Sequence, residues 1–172
     1  IRFLGHHTFG AEVSSDILNR MRIGGDGVDL VSRMVKHHLR PSQMAQPGEL
    51  PSQRAIYRYY RDLRDVAIDT LFLNLADYLA ARGPMLDFDD WSKHCRMIQH
   101  IFNSESVQRS TLRAKRLIDG HDIMREFSLH PGPQIGVLLE KVEEAHAGGD
   151  IVSKEEALKF VQSRLQLGGG IA

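Results

Sequence analysis

Two pairs of adjacent histidines, His6-His7 and His37-His38, are the side chains of this 172-residue sequence best suited to hold a metal ion. Neutral imidazole is the commonest metal ligand in proteins, and it suits zinc, iron, nickel and manganese. His38 follows Val35 by three residues, which puts its ring on the apolar face of a predicted helix. The alternative is a buried neutral imidazole bonded to a backbone carbonyl, the commoner role of a single histidine. A metal site therefore requires partners from other elements.

A stripe of polar side chains, Thr70, Asn74 and Asp77, repeats at i, i+4 and i+7 along an otherwise apolar predicted helix. A carboxylate inside a protein core is costly unless it is paired with a cation or an arginine. We therefore expect Asp77 either to bind a metal ion or to form an ion pair with an arginine such as Arg40 or Arg82.

Basic residues are concentrated between residues 33 and 64, where seven lysines and arginines stand against two acids. Arg58 and Arg61 alternate there with three tyrosines, and Arg113 and Lys115 belong to a second basic segment. Basic residues interleaved with aromatic ones are typical of RNA binding, because phosphates take the charge and rings stack on unpaired bases. A solvated helix face with half-buried tyrosines is an equally good interpretation.

A tight turn in residues 130–136 leads into a predicted helix. The first backbone N–H groups of a helix are free to bind an anion, and Gly132 and Gly136 would let a phosphate approach the backbone closely. The alternative is a plain turn with a proline at the first helical position.

The dipeptide His121-Asp122 has the composition of a metal-binding pair. It follows Gly120 at the start of a short predicted helix, where an aspartate favours the helix N-terminus. We therefore interpret Asp122 as a helix-starting residue.

Apolar residues recur at helical spacing along nearly the whole sequence, without the sustained alternation that indicates strands. The expected fold is all-α, with a helical bundle in residues 1–107 and a small helical appendage in residues 108–172. Residues 41–53 contain three prolines and a glycine and are expected to form a loop. The predicted helices cover residues 8–21, 28–39, 56–81, 91–102, 122–127, 133–147 and 154–165.

The composition is that of a folded, soluble protein, because 22 lysines and arginines balance 22 acids and 42% of the residues are hydrophobic. A disordered chain would carry fewer apolar residues and a larger net charge. The single cysteine, Cys95, cannot form an internal disulfide, which favours a cytoplasmic location. No apolar run is long enough to span a membrane. The sequence begins at Ile1 without an initiator methionine, and we expect it to be the later part of a longer protein.

Taken together, these motifs resemble the C-terminal half of the bacterial tRNA nucleotidyltransferase and poly(A) polymerase family, in the branch that carries an HD-superfamily domain. The similarity extends over nearly the whole sequence, and the turn in the tail is its most specific part. The matching segments are residues 3–11, 30–41, 75–77, 117–124 and 131–136.

The resemblance implies a bundle of the HD type, with a divalent metal ion (magnesium, manganese, iron, nickel or zinc) held by His6, His38 and Asp77. The family's first histidine and its His-Asp pair would lie before Ile1, as would its nucleotidyltransferase head. A site that lacks half of its ligands holds metal weakly, so hydrolysis by this chain alone is not expected.

The function implied by the resemblance is to position tRNA, or another RNA, for nucleotide addition by a head outside this sequence. The residues expected to contact RNA are Arg58, Arg61, Arg113, Lys115, Gly132 and Gly136. A metal-dependent phosphohydrolase acting on phosphate esters is the second hypothesis. A helical scaffold without catalysis is the third.

Overall fold

The computed structural model describes residues 5–46, 48–105 and 116–168, and within these ranges it contains helices and no strand, which confirms the all-α prediction. The described residues fall into two compact units, one within residues 1–107 and the other within residues 108–172. The helices of the first unit are α1 (His6–Arg20), α2 (Gly25–His37), α3 (Arg40–Gln43), α4 (Gln53–Leu63), α5 (Ala67–Arg82) and α6 (Phe88–Asn103). Those of the second are α7 (Gly120–Phe127), α8 (Pro133–Ala147) and α9 (Lys154–Gly168).

The core of the first unit is formed by α4, α5, α6 and the short segment between α4 and α5. Fully buried aliphatic and aromatic side chains fill it, and burial of each large one stabilises the fold by about 1.5–3 kcal/mol. Its members are Ile56, Tyr59, Tyr60, Leu63, Val66, Ala67, Leu71, Ile98 and Ile101. The smaller core of the second unit contains Ile118, Ile123, Ile135, Leu138, Val142, Ala145, Ile151, Ala157 and Val161.

The predicted single helix over residues 56–81 is wrong, because the chain turns at Arg64. This residue has φ 50° and ψ −113°, and a short 3-10 segment, Arg64–Val66, separates α4 from α5. Apolar side chains on both sides of the turn, such as Leu63 and Ala67, are buried in the same core. The apolar period therefore continues across the turn and hides it in the sequence.

The predicted loop over residues 41–53 is wrong in its first part, where α3 forms a single turn. Pro41 lies in the first turn of that helix, where its missing N–H costs no hydrogen bond. Proline thus starts a helix here, whereas α2 already ends at His37. Two residues with helical backbone angles, His38 and Leu39, join α2 to α3.

Helix-starting residues in the second half agree with the sequence. Asp87 caps α6 by accepting hydrogen bonds from the backbone N–H groups of Asp89 and Asp90, both at 2.9 Å. Pro133 occupies the first turn of α8, as predicted. The spacing of Ser153 and Glu156 also predicts a reciprocal capping box at the start of α9. Ser153 caps the helix by accepting from the N–H of Glu156, but the Glu156 carboxylate accepts from the N–H of Val152, so the box is only half formed.

Candidate metal site

Three side chains from separate helical segments meet in the first unit. His6 is the first residue of α1, His38 follows the end of α2, and Asp77 lies in α5. One ligand atom from each lies within 4.8 Å of the other two. The Nε2 atoms of His6 and His38 are 3.2 Å apart, and His38 Nε2 is 3.8 Å from Asp77 Oδ1.

The backbone contact of His38 fixes the tautomer of its neutral ring. His38 Nδ1 lies 2.6 Å from the carbonyl oxygen of Val35, which can only accept, so Nδ1 carries the proton and donates it. In this tautomer, Nε2 carries a lone pair and faces His6 and Asp77. Metal-binding histidines are oriented in this way by a carbonyl on the opposite nitrogen. The alternative role of a core histidine bonded to a carbonyl is therefore compatible with the ligand role.

Asn74 fixes the backbone that carries His38. Its side-chain amide donates to the carbonyl oxygen of His38 at 2.8 Å and lies 3.0 Å from the hydroxyl of Ser42. Asn74 is buried, one turn before Asp77 on the same helix. Two residues of the polar stripe of α5 thus have different roles, because Asn74 holds the junction between α2 and α3 while Asp77 faces the histidines.

Close packing of α1 on α2 brings His6 to the cluster. A Cβ atom at Gly10 would lie 3.3 Å from the side chain of Val35, which leaves little room for a larger residue. This close approach lets the start of α1 reach the end of α2, where His38 is located.

The donor set fits a divalent transition metal. Two imidazole nitrogens and one carboxylate oxygen are ligands that zinc, iron and manganese accept, and a metal about 2.1 Å from each donor brings the donors to about 3–4 Å from one another. Asp77 is more exposed than the sequence suggested, with 41% of its side chain accessible. Neither expected arginine is its partner, because Arg40 pairs with Asp62 at 2.6 Å and Arg82 lies over the ring of Tyr78.

The predicted RNA-contacting arginines of the first unit lie on α4. Arg58 is exposed, and Arg61 forms an ion pair with Asp62 at 2.8 Å. Burial opposes ionisation of Asp62, but hydrogen bonds from Arg40 and Arg61 outweigh it and lower the pKa of this carboxyl below its usual value. Arg61 therefore shares its charge with a neighbouring acid.

The tyrosines between these arginines are not available to stack on bases. Tyr57, Tyr59 and Tyr60 are each at most 3% exposed. The hydroxyls of Tyr59 and Tyr60 donate to the carbonyl oxygens of Ala67 and Ile101, at 2.6 Å and 2.9 Å. Burial raises the pKa of Tyr59, so its hydroxyl stays protonated. The stacking interpretation of this motif is therefore wrong, since the rings belong to the core.

The two glycines predicted to bind phosphate lie at the start of α8. Gly132 is the N-cap residue and Gly136 lies in the second turn, and both are exposed. A Cβ atom at either position would meet nothing within 4 Å. Packing within the described part of the chain thus does not require glycine at 136. The other two predicted contacts, Arg113 and Lys115, lie outside the described residues.

His121-Asp122 is a helix start, as predicted. Asp119 and Asp122 form a capping box, in which Asp122 accepts from the N–H of Asp119 while its own N–H donates to Asp119. Lys154 donates to Asp122 at 2.6 Å, and this hydrogen bond contributes most to the lowered pKa of that carboxyl. His121 is exposed.

A large cavity beside the cluster was not anticipated from the sequence. It has a volume of about 950 Å³, and its lining includes Asp77, Tyr78, Arg82 and His94. The spacing of Trp91 and His94, three residues apart on one helix, is a signal that could have indicated an aromatic cluster on α6, next to this cavity.

Within the described helices, none is long and apolar enough to cross a membrane. The fold and the cluster thus define an all-α protein with two imidazoles and a carboxylate brought together between helices. No family model matches the sequence, and no solved structure matches it.

Two relatives give a more specific comparison. The chain is 31% identical over 161 residues to the CC-adding tRNA nucleotidyltransferase of Thermus thermophilus, a match that covers 93% of this chain and 33% of the relative. It is 30% identical over 161 residues to the A-adding tRNA nucleotidyltransferase of Deinococcus radiodurans, with 93% and 35% coverage. The chain therefore spans about a third of the length of the curated relatives it matches.

Proposed function

We propose that this chain is the HD-like and RNA-binding C-terminal portion of a tRNA nucleotidyltransferase or poly(A) polymerase. In this proposal the bundle and the helical appendage hold tRNA, while a catalytic head outside this sequence adds the nucleotides. The observation that carries the proposal is the similarity over 93% of the chain to two tRNA nucleotidyltransferases.

The names of the two relatives support tRNA binding rather than a choice of nucleotide. One relative adds CC and the other adds A, yet both act on tRNA and both match this chain at nearly the same identity. A segment that is similar in enzymes of different nucleotide specificity is more suited to the shared substrate than to the selection of the added base.

Two features of the described residues suit RNA binding, an exposed positive charge and a glycine near the start of a helix. Neither feature is aromatic. Arg58 is exposed on α4 and contributes positive charge. Gly136 leaves the second turn of α8 open at a place where packing would tolerate a side chain. Phosphates bind to positive charge and to uncovered backbone N–H groups at helix starts, so these features fit contact with the sugar-phosphate backbone.

A salt titration of tRNA binding tests the proposal. Filter binding of the purified chain to a tRNA transcript should give measurable affinity at low salt, and the logarithm of the affinity should fall linearly with the logarithm of the salt concentration. A transcript of similar length without the tRNA fold serves as the control. Absence of binding to the tRNA even at low salt would refute the proposal.

The second candidate function is metal-dependent hydrolysis of phosphate esters, favoured by the cluster of His6, His38 and Asp77. A bound divalent ion supplies an activated water and polarises a phosphoryl oxygen. The contribution of this chain is to orient the His38 ring through the carbonyl of Val35, so that Nε2 faces the other two groups, and to supply the carboxylate of Asp77.

Metal analysis of the purified chain separates the two functions. Manganese, iron, nickel or zinc at one ion per chain, lost in His38→Ala and in Asp77→Asn, favours the hydrolase. The control is His121→Ala, because His121 lies outside the cluster. Retention of tRNA binding by a chain that holds no metal favours the RNA-binding function alone.

A further inference from the structure

The cavity of the first unit has the size and the lining of a ligand site. Its volume of about 950 Å³ lies at the upper end of the range for small-molecule pockets. The walls come from α3 and the segment after it, from α5 and from α6. It shares Asp77 with the metal cluster, but its other polar groups belong to neither the cluster nor the proposed tRNA surface.

Flat side chains are stacked along one wall of this cavity. The guanidinium carbon of Arg82 lies 3.4 Å from the centre of the Tyr78 ring, and the His94 ring stacks on the same tyrosine at 4.1 Å and 20°. Two groups this close cannot share one face, so Tyr78 is sandwiched between them. Trp91 continues the group, with its ring 6.1 Å from His94.

His94 carries an unsatisfied hydrogen-bonding atom in this wall. The residue is 8% exposed, and its Nε2 atom is buried without a hydrogen-bond partner among the described residues. Burial, followed by the charge of Arg82, lowers the pKa of His94, so the ring is neutral. A buried polar atom without a partner costs about 1–3 kcal/mol, a cost that a bound ligand would remove.

Two arginines of the lining keep donors free for an anion. Arg82 donates to the carbonyl of Tyr78 at 3.3 Å, and Arg96 donates to the hydroxyl of Ser92 at 3.0 Å. Within the described part of the chain, neither forms an ion pair with a carboxylate. A guanidinium stacked flat on a ring presents its remaining N–H groups edge-on, which suits a phosphate.

The acidic residues of the lining that the structure describes do not form ion pairs with Arg82 or Arg96. Asp90 is paired with Lys93 at 2.9 Å, and Asp77 faces His38. Glu49 is the third acid, and it is exposed on the segment before α4. The two arginines therefore remain the cations to which a phosphate can bind.

We propose that this cavity binds one nucleoside monophosphate unit, with its phosphate on Arg82 and Arg96 and with a hydrogen bond between its base or sugar and His94 Nε2. The unit is either a free nucleotide or the terminal nucleotide of an RNA, since both have the same chemistry. The proposed contacts, Arg82, Arg96 and His94, include neither a ligand of the metal cluster nor a residue of the tail, so a failure of this proposal is distinguishable from a failure of the proposed function.

Titration with AMP tests this site, and Trp91 reports on it. Trp91 is the only tryptophan of the chain, so its fluorescence has a single origin beside His94. We expect AMP to bind by calorimetry and to change this fluorescence, in EDTA as well as with manganese. AMP should bind more tightly than adenosine or inorganic phosphate, because each of these offers only part of the contacts.

Variants identify the contacts. His94→Phe keeps a flat ring in the stack and removes Nε2, and we expect it to weaken AMP binding about tenfold or more. Arg82→Lys, which retains the charge but loses the planar fork, should also weaken binding, whereas Arg20→Ala on α1 should not. Thermal denaturation verifies that each variant is folded, and the arginine variants decide the matter if His94→Phe does not fold.

Two results would overturn the proposal: no binding of AMP to the unmodified chain at millimolar concentration, or equal affinities for the unmodified chain, His94→Phe and Arg82→Lys. A short RNA ending in adenosine distinguishes the source of the ligand. Competition between this RNA and AMP assigns the cavity to an RNA end, and AMP binding that the RNA leaves unchanged assigns it to a free nucleotide.

Discussion

The two nitrogens of His38 are engaged in different ways. One nitrogen is bonded to the carbonyl of Val35 on the preceding turn, and the other faces His6 and Asp77. The ring is therefore held in one tautomer and one orientation before any ligand arrives. Such preorganisation is what a metal or a phosphate site requires from its supporting residues.

Asn74 supports this arrangement, and its removal should destabilise the first unit. Asn74→Ala deletes the donor to the carbonyl of His38 and leaves that carbonyl and Ser42 without their partner. We expect a loss of about 1–3 kcal/mol in the free energy of unfolding, measured by urea denaturation. The exposed Asn19→Ala on α1 is the control and should change the value by less than about 0.5 kcal/mol. Equal stability of the two variants would contradict the role of Asn74.

His94 makes the stability depend on pH. Its pKa is lowered from 6.5 in the folded chain, so the unfolded chain binds more protons as the pH falls through that value, and stability is lost on acidification. The variant His94→Phe has no imidazole at this position and therefore does not lose stability on acidification through it. We expect the variant to gain stability relative to the unmodified chain between about pH 7 and about pH 5, in urea titrations at each pH. Parallel pH profiles of the two proteins would contradict the assignment.

The individual residues show how far the sequence was informative. The helical phase of His38 and Asp77 predicted that both turn inward, and His38 is buried as predicted, whereas 41% of the Asp77 side chain is accessible. The burial of Tyr59 and Tyr60 was missed, since their hydroxyl partners are backbone carbonyls and that of Tyr60 lies 41 residues away. The missing hydrogen-bond partner of His94 Nε2 could not be predicted from the sequence either, because it depends on how α5 and α6 pack.

At the scale of elements, the turn between α4 and α5 stores backbone strain. Arg64 has φ 50° and ψ −113°, a conformation that glycine adopts readily and other residues do not. Strain of about 1–3 kcal/mol exceeds the roughly 0.5–1 kcal/mol entropic cost of a glycine. Arg64→Gly should therefore raise the free energy of unfolding by about 1 kcal/mol in urea titrations.

The control for this prediction is Arg64→Ala, which loses the same side chain but keeps the Cβ atom. It should bring no gain in stability, because the strain arises from the backbone conformation. Equal effects of the two substitutions would show that the side chain of Arg64, rather than the turn, determines the result.

One substitution near the start of α8 should raise the stability of the chain and weaken tRNA binding. Gly136 lies in the helix with open space around its Cα, so Gly136→Ala should stabilise α8 by up to about 1 kcal/mol. Under the proposed function the same methyl group hinders a phosphate and weakens tRNA binding. Thermal denaturation and filter binding measure the two effects, and undiminished tRNA affinity would remove Gly136 from the contact surface.

Helix positions were predictable where local signals fix them, as at the capping residue Asp87 and at Pro133. The turn at Arg64 was not, because it contains neither glycine nor proline and both of its sides are equally apolar. Short-range patterns thus located most helices, whereas the turn at Arg64 depends on tertiary packing.

At the scale of the whole molecule, the proposed tRNA contacts should act through charge. Arg58→Ala and Arg61→Ala are each expected to weaken binding to different tRNAs alike and to reduce the salt slope by about 1. Arg20→Ala, which removes an exposed arginine of α1, should leave the slope unchanged. The slope is read from filter binding at a series of salt concentrations. Unchanged slopes in both α4 variants would place the tRNA elsewhere on the chain.

The most direct test of the account is the affinity of the unmodified chain for tRNA relative to a DNA duplex of equal charge. Both ligands satisfy simple electrostatic attraction, so only recognition of tRNA distinguishes them. We expect a tRNA transcript without its terminal CCA to bind at least about tenfold more tightly than the duplex at the same salt concentration. Equal affinities, or tighter binding to the duplex, would contradict it.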